Sequence, residues 1–316
     1  MNKINCLISG GNGFIGTNLC PKLEKLGFNV TVYDIKSNPL DDIRDKYRLE
    51  TKFITGNFDI VIHMAARTGT LTSDEFPDEY ISTNVSGTNN ILALSKKYGV
   101  KKFIFFSSSS IFGGTKDGEL IAEGYKIKPR TLYGVTKAAG ELMVKASGLN
   151  YVIIRPFTVY GKNGRRDMVI YKWIDRIKSE KPLLIFGNGK TSRGYTYIEE
   201  FTDAVCRLVV LSIGAKFEKE LSVTVNLGGA ENVTLERMLL VFKEYCANND
   251  LYFDFKNMEL KSTDIEHSLA DVSFAKLLVG FNPEKKKFKE RLLGIIDSEL
   301  GNKKIMNKIY DDEQKI

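Results

Sequence analysis

The sequence predicts an α/β chain built on a doubly wound parallel sheet, followed by a smaller α/β domain. Three observations predict it. Short β-branched runs alternate with helical patterns through the first half of the 316 residues, the pattern of parallel strands joined by right-handed crossovers. A glycine-rich turn, GGNGFIG at 10–16, joins the first strand to the first helix. After Pro156 the alternation loosens into short elements broken by turn signals at Gly187, Gly189, Gly228 and Gly229. Strand, glycine turn and helix in that order are the opening of a Rossmann fold.

Taken in order, residues 4–9 form an apolar run that ends in glycines, and 14–26 carry helical spacing that stops at Gly27. Strands follow at 30–33 and 59–63, a helix at 80–98, a strand at 103–107, a helix at 133–146 and a strand at 151–155. A helix over 168–178, holding Trp173 as packing, begins the second domain. The helix at 199–211 and the strand at 223–227 are expected to return to the sheet. The domains therefore read as 1–157, with 195–227 rejoining it, and a second domain of 158–194 and 228–316.

Composition bounds the rest. Hydrophobic residues make up 43 % and charged residues 27 %, as in an ordinary globular protein. No apolar run is long enough to span a membrane, and the N-terminal apolar run leads into a glycine motif rather than a cleavage site. Cys6, Cys20, Cys206 and Cys246 include no CxxC pair, which predicts a reducing cytoplasm and no metal centre. The net charge of +7 fits a solvated surface with a lysine-rich end at Lys285, Lys286, Lys287 and Lys289, or a field that attracts an anionic substrate. No nucleic-acid motif accompanies it.

Gly10, Gly13 and Gly16, with Phe14 and Ile15 between them, let the turn tighten and bring backbone N–H groups close to a pyrophosphate at the helix N-terminus. Asp34 ends the second strand eighteen residues past Gly16. A carboxylate there accepts hydrogen bonds from ribose hydroxyls and repels a 2′-phosphate, which favours NAD over NADP.

Tyr133 and Lys137 stand four apart in YGVTK, on one face of a helix. An ammonium near a phenol favours phenolate, and phenolate takes a proton from a hydroxyl as hydride leaves the same carbon. Ser107, Ser108, Ser109 and Ser110 close the preceding strand, at the end where open α/β sheets bind ligands. At least one of them is expected to serve only the turn. His63 and His267 are read as structural.

Together these residues resemble the extended short-chain dehydrogenase/reductase family, in its nucleotide-sugar epimerase and dehydratase branch. The resemblance spans nearly the whole chain: GGNGFIG, VIHMAA at 61–66, TNVSGT at 83–88, SSSSIFG at 107–113, YGVTK, RPFTVYG at 155–161, GRRDM at 164–168 and LADVSFAKLLVGFNP at 269–283. It implies that Ala65 and Ala66 line the cofactor channel with Asn84 nearby, and that Asp42 and Ile43 hold adenine. Tyr133 would be the base, Lys137 would hold the nicotinamide ribose, and Pro156 would open the segment facing the nicotinamide. The stretch between Asp34 and Asp42 is short for the family.

The resemblance also places the catalytic serine five residues before Gly113, at Ser108. Dehydratases follow that position with Asp and Glu, and decarboxylases carry Glu where Ser110 stands. This chain has Ser109 and Ser110, which leaves redox-neutral 4-epimerisation with NAD recycled in place. RPFTVYG followed by GRRDM is most similar to UDP-glucuronate 4-epimerases. Thr158 replaces the Asn of galactose-type enzymes, and with the serines and Arg165 it implies a site for a C6 carboxylate. Arg193 matches the arginine that reaches the nucleotide or phosphate. Gly194 follows it where the family has Asp, and Lys261, in KSTD at 261–264, stands for another arginine. A homodimer is expected by analogy. The competing readings are a neutral UDP-hexose (or N-acetylhexosamine) 4-epimerase, a reductase with net redox, and a non-catalytic NAD-binding sensor.

Overall fold

The computed structural model describes residues 3–70, 72–214, 221–260 and 265–301. Its centre is a six-stranded sheet, every pair parallel. Across the sheet the strands run Val223–Leu227, Tyr151–Pro156, Lys102–Phe106, Ile60–His63, Asn5–Ser9, Asn29–Tyr33. These strands read as continuous apolar runs because helices cover both faces. Phe14–Lys25 and Ile198–Ser212 pack on one face around Leu19, Leu23, Phe201 and Val205. Lys46–Gly56, Thr88–Lys97 and Leu132–Ala146 cover the other, around Leu49, Phe53, Ile91, Leu94 and Val144.

Numbered along the chain, the sheet order is 2-1-3-4-5-6. A dinucleotide-binding sheet of the usual order 3-2-1-4-5-6 carries one more strand outside the second. Here Asn29–Tyr33 is the edge, and the chain passes from it through a twelve-residue link (34–45) into Lys46–Gly56. The short spacing between Asp34 and Asp42 is the sequence trace of that missing strand. The strand order still reverses between Asn5–Ser9 and Ile60–His63, so the crevice that binds ligands opens there.

Two expectations are corrected. The helix Lys46–Gly56 went unpredicted: it buries only Leu49 and Phe53, a narrow stripe, and it is started by Asp45, whose carboxylate accepts from the Arg48 N–H at 3.0 Å. The helix expected at 80–98 is three pieces, Pro77–Ile81, a π-helical turn Ser82–Gly87 and Thr88–Lys97. A π turn is a one-residue insertion into a helix, and it leaves the 3.6-residue pattern on either side intact. The other strands and helices that were expected lie within a residue or two of their predicted ends, the usual uncertainty of boundaries, and the helices Leu235–Asn248, Ser273–Val279 and Phe288–Leu300 had no prediction.

A second core gathers Trp173, Ile174, Phe242, Leu292 and Ile296. Trp173 packs edge-on against Phe242, and its Nε1 donates to the Leu184 carbonyl at 3.0 Å. Among the described residues, no helix is long and apolar enough to cross a membrane.

Candidate active site

The carboxyl ends of the sheet strands open into a cleft of about 1420 Å³, larger than a pocket for one small ligand. At one end lies the glycine turn. Gly10 has φ +76°, and a Cβ there would stand 2.6 Å from the Ala65 nitrogen; a Cβ on Gly16 would stand 2.3 Å from the Gly11 carbonyl oxygen. Glycine is therefore required where the turn passes the strand Ile60–His63 and where the helix packs on the turn. Gly13 starts Phe14–Lys25 with no side-chain cap, so the first N–H groups remain available to an anion. Asp34 accepts from the backbone N–H of Asn12 and of Lys36, each at 2.8 Å, which fixes its carboxylate at the strand end. Phe14, Ile15, Asp42, Ile43, Ala65 and Ala66 line the same end. An uncapped helix start, a fixed carboxylate and a long cleft fit a dinucleotide.

Asn84 does not line the cleft. Its amide donates to Thr136 Oγ1 and to the Arg67 carbonyl, both at 3.0 Å, and its oxygen accepts from the Arg67 N–H at 2.8 Å. It ties the 67 segment to the Leu132–Ala146 helix.

That helix carries the chemistry. Thr131 caps it by accepting from the Gly134 N–H at 3.2 Å. A Cβ on Gly134 would stand 2.6 Å from the Ser110 carbonyl oxygen, and one on Gly140 would stand 2.5 Å from the Phe105 ring. Two glycines thus let the helix press against the serine loop and the strand Lys102–Phe106. Tyr133 faces the cleft with Ser108, Ser109 and Ser110, Pro156, Thr158 and Arg165. The Ser108 hydroxyl accepts from the Ser110 N–H and donates to Ser110 Oγ, both at 3.1 Å. Ser107 is the turn serine: its hydroxyl donates to the buried Glu141 carboxylate at 2.5 Å.

The electrostatics differ from the simple pair. Burial pushes the Tyr133 phenol up, with Arg165 and then Ser108 pulling it down and Tyr80 and Asp167 adding to the rise. Lys137 is lowered to about 7 by burial, against the pull of the Glu141 carboxylate one turn on. Its ammonium stands over the Phe105 ring. In the protein alone, burial outweighs the pulls of Arg165 and Ser108 on the phenol. Tyr80 stands edge-on to Tyr133 at 6.3 Å between ring centres, and its hydroxyl is shared between the carbonyls of Thr68 and Gly69 at 2.7 and 2.9 Å.

At the far end of the cleft stand Trp173, Leu184, Phe186, Leu235 and Arg193. Arg193 also donates to the carbonyls of Ser192, Glu266 and Ile265. Lys261 lies outside the described residues. His63 is held between Ser9 Oγ at 2.6 Å and Thr88 Oγ1 at 2.9 Å and is lowered to about 3 by burial; His267 contacts Ser192 Oγ at 2.8 Å. Neither lines the cleft. Sequence reasoning passed over Asp167, Glu141 and Tyr80. Asp167 and Glu141 had a signal in spacing, two residues after Arg165 and four after Lys137.

A glycine turn for a dinucleotide, a Tyr/Lys helix and a serine loop in one cleft define a nicotinamide-dependent enzyme of the doubly wound class. Residues 6–218 match the NAD dependent epimerase/dehydratase family, and the chain belongs to that family. Its cofactor is NAD. The chain is 33 % identical to a UDP-glucuronate 4-epimerase of Thermodesulfobacterium geofontis (strain OPF15), with 88 % of this chain and 91 % of that one covered. Among solved structures it is similar to MoeE5 in complex with UDP-glucuronic acid and NAD, at 26 % identity and a TM-score of 0.80, covering 93 % and 98 % of the two chains. It is equally similar in fold to a Thermus thermophilus UDP-glucose 4-epimerase in complex with NAD, at 25 % identity, a TM-score of 0.81 and 94 % and 99 % coverage.

Proposed function

We propose that this protein interconverts UDP-glucuronate and UDP-galacturonate by inverting C4 through a 4-keto sugar. One observation carries the reading: the cleft wall beside Tyr133 offers the hydroxyls of Ser108, Ser109, Ser110 and Thr158 and the guanidinium of Arg165, with no carboxylate in the serine loop. Hydroxyls and a guanidinium hold a C6 carboxylate by charge-assisted hydrogen bonds. An acid to expel water, or a glutamate at position 110 to drive decarboxylation, is not there.

Tyr133, as phenolate, removes the C4 hydroxyl proton and later returns it, and Ser108 holds that hydroxyl. NAD, once held there, would supply the acceptor and donor of the C4 hydride, and its positive charge would favour phenolate at Tyr133. Lys137 holds the nicotinamide ribose and supports the same ionisation. Gly10, Gly13, Phe14, Ile15, Gly16, Asp34, Asp42, Ile43, Ala65, Ala66 and Pro156 form the dinucleotide half. Arg193 and Lys261 serve the nucleotide diphosphate.

We read the chain as a cofactor domain of 1–157 with 195–227, and a substrate domain of 158–194 and 228–316, a division the separate core around Trp173 supports. Homodimerisation is supported by Val135 and Leu142, exposed seven residues apart on one helix, and by exposed Ile81 on the helix beside it. Four unpaired, buried cysteines fit the cytoplasm.

The test is incubation of the NAD-loaded protein with UDP-glucuronate and, separately, UDP-glucose, followed by NMR of the sugars. Inversion of UDP-glucuronate without added dinucleotide supports the reading. Turnover of UDP-glucose alone replaces it with the neutral-hexose reading, and turnover that consumes added dinucleotide replaces it with a reductase.

A further inference from the structure

Arg165 is held by the residue two positions on. Its Nε donates to Asp167 Oδ1 at 2.9 Å and its Nη2 to Oδ2 at 2.6 Å, a bidentate fork that fixes the guanidinium plane. Nη1 has no partner among the described residues. A guanidinium has five N–H donors, so this clamp leaves three, two of them parallel on the Nη1/Nη2 edge. Asp167 is itself seated in the cleft: a Cβ on Gly69 would stand 3.6 Å from its Oδ2 and 3.3 Å from the Tyr80 hydroxyl. Tyr80 stands edge-on to Tyr133, and the charges of Arg165 and Asp167 reach the Tyr133 phenol with opposite sign, which puts the pair beside the catalytic tyrosine.

We propose that Asp167 is a positioning residue for sugar selection: it clamps the Nε/Nη2 edge of Arg165 so that the Nη1/Nη2 edge stands as a preformed fork for the C6 carboxylate. This rests on the uronate reading above. An arginine two-fifths exposed and unclamped has many rotamers to lose on binding, and fixing it beforehand removes that cost. The two carboxylates do not compete, because they use different edges of one planar cation. The clamp also half-neutralises Arg165, so that a fitting carboxylate gains more than an anion drawn only by charge.

The experiment measures KM and kcat for UDP-glucuronate, and the inhibition constant of UDP, on NAD-loaded wild type, Asp167→Ala, Arg165→Lys and the double variant. Losing one charge-assisted hydrogen bond's worth of preorganisation should raise KM about tenfold in Asp167→Ala, a larger change than in kcat, and should leave UDP inhibition unchanged. In the Arg165→Lys background, removal of Asp167 should add nothing. A lower KM in Asp167→Ala would show a competitor instead of a clamp and overturn the proposal, as would an unchanged KM or an effect that persists in full without Arg165. Should the alanine variant fail to fold, Asp167→Asn keeps the volume, turns an N–H donor toward the guanidinium and carries the same expectations. A wild type that does not turn over UDP-glucuronate overturns the uronate reading and this proposal with it; a wild type that does, with Asp167→Ala unchanged, overturns this proposal alone.

Discussion

The Lys137 ammonium stands 4.4 Å from the centre of the Phe105 ring. It is buried there beside neutral His63, with the Glu141 carboxylate one helical turn on as its counter-charge. Burial holds its folded pKa at about 7, against 10.5 for the free group. A lysine lowered on folding disfavours the folded state fully at pH values below its folded pKa. The cost fades as pH rises from about 7 to 10.5, because the unfolded chain binds the extra proton in that window. Lys137→Met should therefore raise the Tm of the cofactor-free protein more at about pH 6 than at about pH 10. Thermal scans of both proteins across that range check it, and a gap that stays constant with pH would contradict the burial assigned to the ammonium.

Tyr133→Phe removes the proton acceptor and leaves the glycine turn and Asp34 untouched. NAD affinity should hold while turnover falls by about 10²–10⁴, the usual contribution of a positioned acid–base group. Isothermal titration with NAD and a sugar-NMR assay read the two separately. Retained turnover would remove Tyr133 from the mechanism.

The parts of the site that depend on local spacing were legible in the sequence. Gly10 and Gly16 declare a turn that admits only glycine there, and Tyr133 and Lys137 share a helix face by arithmetic. Asp34 is read from its place at a strand end. What depends on tertiary contact was not legible. Tyr80 looks like a packing residue at a helix start until its ring is seen edge-on to Tyr133 from another helix. The π turn at Ser82–Gly87 leaves no periodic mark, and no spacing shows that the Asn84 amide binds Arg67 and Thr136. The missing sheet strand showed only as a short link, which spacing records but cannot interpret without the strand order.

Gly134 tests the helix against the serine loop. A methyl added there meets the Ser110 carbonyl oxygen at 2.6 Å, closer than real Cβ atoms come, so the helix start and the loop must part. Gly134→Ala should keep the fold and NAD binding, and should lower kcat by about 10²-fold, the order of loss that a misplacement near 1 Å produces. Steady-state kinetics with a melting curve decide it; unimpaired kcat would mean that the Ser108–Tyr133 approach tolerates the shift.

Glu141 and Arg155 test how the same loop is supported from beneath. Arg155 Nε and Nη2 donate to the two Glu141 oxygens at 2.8 and 2.7 Å, and both side chains are almost fully buried. Ser107 donates to the same carboxylate, and Arg155 Nη1 donates to the Glu123 carbonyl at 2.7 Å. The network joins the end of the central strand Lys102–Phe106 to the Tyr133 helix and to the strand Tyr151–Pro156. Glu141→Gln leaves a buried guanidinium without its counter-charge, a change that costs about 3–5 kcal/mol in folding free energy. Replacing both residues with apolar ones removes the stranded charge as well as the pair, so Glu141→Met with Arg155→Met should be less destabilised than Glu141→Gln alone. Urea unfolding of the single and double variants measures the difference. A double variant as unstable as the single would mean that the hydrogen bonds to Ser107 and Glu123, and not the buried charge, set the stability of the loop.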